Sequence, residues 1–129
     1  MIEIGKILIV DDSAMMRMVL RKSLAMAKVE ASEIVEATNG GEGLQLLQSQ
    51  HFDILFCDLN MPGMSGDELI AQLRLLDSVT VPPIVIVSAE ATPERVARLQ
   101  CDRVVGVLRK PFLPEMVAKL VTDSKTLCV

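Results

Sequence analysis

Five polar residues stand at the ends of apolar runs: Asp11 and Asp12 after "KILIV", Asp58 in "FCDLNMPGMSG", Ser88 in "VSAEA" and Lys110 in "LRKPF". Adjacent carboxylates at the end of an apolar run repel each other and lose solvation. Three together are tolerable when a hard divalent cation sits among them. Magnesium prefers oxygen ligands, keeps several waters and pairs one or two carboxylates with phosphate oxygens. Lys110 adds a point charge and Ser88 a hydroxyl, both suited to phosphate oxygens. The set reads as a phosphoryl-transfer site, with cation and lysine for charge and the hydroxyl for placement. An aspartate can itself accept the phosphoryl group as a nucleophile.

That chemistry requires the five residues to meet, so the elements around them matter. Short apolar runs at 6–10, 32–37, 53–57, 83–88 and 104–108 read as strands. Three are nearly continuous in Val, Ile and Leu, as expected for strands covered on both faces. Helical spacing fills the gaps. Met16, Val19, Leu20, Leu24 and Ala27 repeat at threes and fours, with Arg17, Arg21 and Lys22 facing away. Leu69, Ile70, Leu73 and Leu76 do the same over 66–77, as do Met116, Val117, Leu120 and Val121 near the end. Ser13, Asn39 and "TPE" at 92–94 mark helix starts. The second helix is the weakest, because Gly40, Gly41 and Gly43 each cost up to ~1 kcal/mol relative to Ala. Strand and helix alternate five times, which predicts an α/β fold: a five-stranded parallel, doubly wound sheet with right-handed crossovers, in one domain over residues 1–129. In such a sheet ligands bind beyond the carboxyl ends of the strands, where all five polar residues fall.

Composition narrows the function. Half of the residues are apolar and 23% charged, the profile of an ordinary globular domain. A formal charge of −4 argues against nucleic acid as the main partner. No run approaches the ~20 apolar residues of a membrane span, and the N-terminus lacks the basic flank of a secretory signal. A cytoplasmic location is expected. Cys57, Cys101 and Cys128 form no CxxC pattern, so neither a zinc knuckle nor a disulfide framework is suggested. Cys57 reads as a small core hydrophobe. The absence of Trp and Tyr removes most stacking platforms for bases or flavins. His51, the sole histidine, reads as a surface residue, so a phosphohistidine donor would belong to another protein.

The segments "VDD" (10–12), "DLNMPGMSG" (58–66), "SAE" (88–90) and "KPF" (110–112) together resemble the receiver domain of two-component response regulators, especially the stand-alone chemotaxis type. The resemblance covers essentially the whole chain and implies the flavodoxin-like (βα)5 receiver fold. It implies that Asp58 is the phosphoacceptor. It further implies that Asp12 and Asp58 ligate Mg²⁺ directly with the backbone carbonyl of Asn60, and that Asp11 acts through metal-bound water. Ser88 would hydrogen-bond the phosphoryl group and move toward it, and Lys110 would bridge to its oxygens. Lys110–Pro111 would be a cis peptide. Asn60 and Glu90 occupy positions that tune the phosphoryl lifetime in that family. The partners implied are a sensor histidine kinase or histidine phosphotransfer protein, docking near Met15 and Met16, and a downstream target or an output domain. The switch would be read on the face of helix four, strand five and helix five. Two positions depart from the pattern. Val107 stands where the family usually has Tyr or Phe, which points read-out toward the strand-four loop and helix four. "QCDRVVG" (100–106) lacks the usual Gly after helix four, so an irregular helix end is expected.

Other readings fit less well. A phosphatase of the haloacid dehalogenase type also uses an Asp nucleophile, Mg²⁺ and a lysine, but calls for DxD after the first strand and a cap insertion; here the strand ends "DDS". A flavodoxin-like cofactor binder needs a Ser/Thr/Gly-rich phosphate loop there. A degenerate receiver would lack part of the site. Alone, "NMPGMSG" is a turn, Ser88 a loop hydroxyl and Lys110 a surface lysine; their order in the chain makes them a set.

Overall fold

In the computed structural model, which describes residues 1–75, 81–89, 92–99 and 103–127, every apolar run becomes a strand and every segment between them a helix. The order is β1 (Ile2–Val10), α1 (Ala14–Met26), β2 (Val29–Ala37), α2 (Gly40–Ser49), β3 (Ile54–Asp58), α3 (Gly66–Arg74), β4 (Ile84–Ser88), α4 (Pro93–Leu99), β5 (Val104–Arg109) and α5 (Pro114–Leu127). The strands form one parallel sheet in the order β2-β1-β3-β4-β5. The order reverses between β1 and β3, which places the ligand crevice of such a sheet at their carboxyl ends.

All residues of β3 and β4, and the second half of β1, are buried. With side chains alternating in direction, each strand feeds two cores. Leu8, Val10, Leu55, Cys57 and Ile86 pack with Leu47 of α2 and Leu69, Ile70 and Leu73 of α3. Ile7, Ile9, Phe56, Val85 and Val87 pack on the other face with Leu20 and Leu24 of α1 and Val117 and Val121 of α5.

The strands at the sheet's flank differ from the sequence expectation. β1 begins at Ile2 rather than Lys6 and β2 at Val29 rather than Ser32, because Ile2 and Ile4 pair with Val29 and Ala31. This outer part of the sheet alternates apolar and polar residues, a fainter signal than a continuous run. α3 ends at Arg74, with Leu75 as its cap, where spacing suggested 77; residues 76–80 lie outside the described ones. α5 extends further both ways than its four spaced apolar residues mark.

Lys28, just after α1, is held at φ 59°, a left-handed conformation that costs a side-chain-bearing residue about 1–2 kcal/mol. Lys28→Gly is expected to raise unfolding stability by up to ~1 kcal/mol, read as a shift in urea midpoint without a change in slope.

Candidate functional site

The two acids after β1 have different environments. The Asp11 N–H continues the sheet by donating to the Ala37 carbonyl at 3.1 Å. Its carboxylate accepts the Ser13 N–H at 2.9 Å, while Ser13 itself caps α1 by accepting the Met16 N–H. Asp11 is therefore pinned and only 4% exposed. Asp12 is exposed.

Arg17 adds a contact that helical spacing missed. It was expected to face away from the core, yet its side chain is mostly buried. It donates to the Asp11 carbonyl at 2.7 Å and to Glu36 of β2 at 2.6 Å. Arg21 reaches the same Glu36. Burial pushes the Glu36 carboxyl up, but the two guanidiniums outweigh it and hold the group below its ordinary value. The signal available in the sequence was Glu36 itself, a carboxylate on the strand beside the first aspartates.

Asp58 closes β3, in register with Val87 of β4. It is 5% exposed, and the backbone N–H groups of Asn60 and Leu59 favour its ionised form. α3 starts against this segment. The Gly66 N–H donates to the Leu59 carbonyl at 3.1 Å, and a Cβ on Gly66 would lie 2.1 Å from the Asp58 carbonyl oxygen. No side chain fits. Gly66→Ala is expected to destabilise the fold by about 1–3 kcal/mol, the range for overpacking, and to shift the Asp58 and Leu59 amide signals; an unchanged denaturation midpoint would show that the loop relaxes freely. Neighbouring Cys57 donates its thiol to the Asp58 carbonyl, and burial drives its pKa upward, as befits a core residue and not a nucleophile.

Ser88 ends β4 and is fully buried. Lys110 follows β5, its N–H donating to the Ser88 carbonyl at 3.2 Å. The Lys110–Pro111 peptide is cis. The Lys110 ammonium lies 3.5 Å from a carboxylate oxygen of Asp11 and 3.6 Å from one of Asp58, so a single cation faces both.

One carboxylate oxygen each from Asp11, Asp12 and Asp58 lies within 4.8 Å of the others. Burial, then the Asp11 charge, push the Asp58 carboxyl above its ordinary value, against Lys110 and the two backbone N–H groups. Lys110 alone thus leaves the cluster short of positive charge. Two buried acids and one exposed one suit a partly hydrated divalent cation, which keeps waters on its open side.

The remaining candidates are spread out. Asn60 is exposed, with its side-chain oxygen accepting from Arg95 at 3.0 Å. Val107 is half-buried against the α2–α3 side of the core. Glu90, Cys101 and Cys128 lie outside the described residues, as does most of the segment between α4 and β5. His51 is exposed, 3.3 Å from Asp53. Arg95 is a second participant that sequence reasoning missed. It also holds Asp67, and its hydrogen bonds keep that carboxyl below the usual carboxylate range.

The family profile described as "Response regulator receiver domain" matches residues 7–122. The chain is 34% identical over 112 residues to the chemotaxis protein CheY of Pseudomonas aeruginosa, covering 87% of this chain and 89% of that one. Among solved structures, the Vibrio cholerae chemotaxis protein CheY4 superposes with a TM-score of 0.76 at 31% identity, covering 94% of this chain and 98% of that one. A CheY-like receiver domain of Methanospirillum hungatei gives 0.76 at 28% identity, covering 96% and 97%.

Proposed function

The chain belongs to the response regulator receiver domain family, and from that premise we propose that Asp58 is its phosphoacceptor. Receiver domains of this family are signalling proteins of two-component systems. Asp58 would act as nucleophile toward a phosphohistidine of a kinase or phosphotransfer protein. A carboxylate oxygen attacks phosphorus, the P–O bond forms as the P–N bond breaks, and the departing imidazole keeps the electron pair and takes up a proton. The observation that carries this reading is the Lys110 ammonium facing Asp58 and Asp11 at 3.6 and 3.5 Å within a three-aspartate cluster.

Asp11, Asp12 and Asp58, with the backbone carbonyl of Asn60, would hold Mg²⁺. When bound, the ion supplies the charge that lets an anionic carboxylate receive an anionic phosphoryl group. Lys110 would neutralise phosphoryl oxygens and Ser88 would donate its hydroxyl to one. Asn60 and Glu90 would tune how long the phosphoryl group survives.

For the donor protein we favour the α1 face. Met15 and Met18 are exposed there, 69% and 50%. Met16, Val19, Pro111 and Phe112 border an open cleft that Lys110 also lines. Exposed apolar surface beside a reaction centre suits a partner helix. Output would be read on the α4–β5–α5 face by a protein target. Phosphotransfer from a kinase suits a cytoplasmic location, and no helix among the described residues is long and apolar enough to cross a membrane.

Beryllofluoride with Mg²⁺ mimics an acyl phosphate and tests the reading. Amide signals of Asp58–Asn60, Ser88 and Lys110 are expected to shift in the wild type and to stay still in Asp58→Asn. No Mg²⁺-dependent shift in the wild type would contradict it.

A further inference from the structure

α4 is a short helix with a single buried residue, Leu99. Apolar packing alone therefore holds it weakly. Arg95 ties it to the rest of the molecule. Its N–H bonds the Thr92 hydroxyl at the start of α4, but its guanidinium leaves the helix. Nε donates to Asp67 at 3.1 Å and Nη2 to the other oxygen of the same carboxylate, a bidentate pair with the first turn of α3. Nη1 donates to the side-chain oxygen of Asn60 at 3.0 Å, and Nη2 also reaches the Leu59 carbonyl at 3.4 Å. Only a planar fork of donors can serve these acceptors together; an ammonium cannot.

Leu59 and Asn60 directly follow Asp58 in the chain, so the Arg95 guanidinium holds the two residues next to the one that carries the carboxylate. The link runs along the backbone from Asp58 to Leu59 and Asn60, and from these to one guanidinium rooted in α4. Converting the carboxylate to an acyl phosphate changes the size and charge of the group on Asp58, and a shift of the adjoining Leu59–Asn60 pulls on Arg95. Meanwhile Val107 on β5 has no ring to swing inward.

Resting on the Asp58 reading above, we propose that Arg95 is the positioning residue that couples the state of Asp58 to the placement of α4. The coupling is reciprocal, because it is a free energy shared by two sites. A partner that binds α4 and displaces Arg95 changes the affinity of Asp58 for a phosphoryl mimic, and the mimic changes α4.

The full chain, ¹⁵N-labelled, is titrated with beryllofluoride at saturating Mg²⁺ as wild type, Arg95→Ala, Arg95→Lys and Asp67→Asn. In wild type, signals at 58–60 and at 93–99 should shift together. In Arg95→Ala the 58–60 shifts persist, the 93–99 shifts largely vanish, and beryllofluoride affinity changes about fivefold or more. Arg95→Lys does not restore the α4 response. Asp67→Asn keeps the guanidinium but weakens its anchor, so it gives a partial loss and serves should Arg95→Ala fold poorly. Full α4 shifts in both Arg95→Ala and Asp67→Asn would overturn the coupling. Absence of any wild-type response at 58–60 would overturn the phosphoacceptor reading itself, and the coupling with it.

Discussion

Asp58→Asn should melt at a higher temperature than the wild type in metal-free buffer at neutral pH, and should lose most of the further rise that Mg²⁺ gives the wild type. The cause is the crowding of charge. Burial and the neighbouring Asp11 carboxylate raise the Asp58 pKa despite Lys110 and two backbone N–H groups. A carboxyl whose pKa is higher folded than unfolded stabilises the fold only while protonated. That contribution is complete below the unfolded-state pKa and is lost as pH rises through the folded-state value. Above that value the wild type has lost it, whereas Asn is neutral at every pH. The gain from Asn should therefore shrink as pH is lowered to the point where Asp58 is protonated. A difference on the order of 1 kcal/mol corresponds to ~4 °C for a domain of this size. Mg²⁺ binding only the folded state raises the wild-type melting point by mass action. An equal or lower melting point for Asp58→Asn at neutral pH would show that Lys110 more than offsets the repulsion.

Lys110→Ala should slow phosphorylation by acetyl phosphate by roughly 10²–10³-fold at saturating Mg²⁺, the usual loss for one preorganised donor at a developing charge. Two effects combine. The ammonium that faces both Asp11 and Asp58 is gone, so phosphoryl oxygens lose their fixed positive partner. The Asp58 pKa also loses an influence that lowers it. Because the nucleophile is the ionised carboxylate, the pH–rate profile rises through the Asp58 pKa. In the variant that rise should move to higher pH, measured without metal as the titration of the Asp58 carboxyl by NMR. A rate within threefold of wild type would place Lys110 outside the reaction.

The site was readable because its residues terminate strands. β3 and β4 are buried on both faces, so they read as unbroken apolar runs, and the first polar residue after each run falls on the carboxyl edge. Asp58 and Ser88 are those residues. The flank of the sheet was harder, since Ile2 and Ile4 alternate with Glu3 and Gly5 and resemble a polar terminus. Arg17 and Arg95 escaped for a different reason. Helical spacing fixes where a Cα faces, not where a long side chain ends. Each guanidinium travels far enough to meet a backbone carbonyl beside the acids, Asp11 for Arg17 and Leu59 for Arg95. The unequal burial of Asp11 and Asp12 was also invisible, because it depends on the Ser13 N–H turning back onto Asp11.

The central claim is tested most directly by the intact mass of the protein after incubation with acetyl phosphate and Mg²⁺. A single added phosphoryl group per chain is expected in the wild type, and none in Asp58→Asn or after chelation of the metal. No adduct in the wild type, or one that survives Asp58→Asn, would contradict the account.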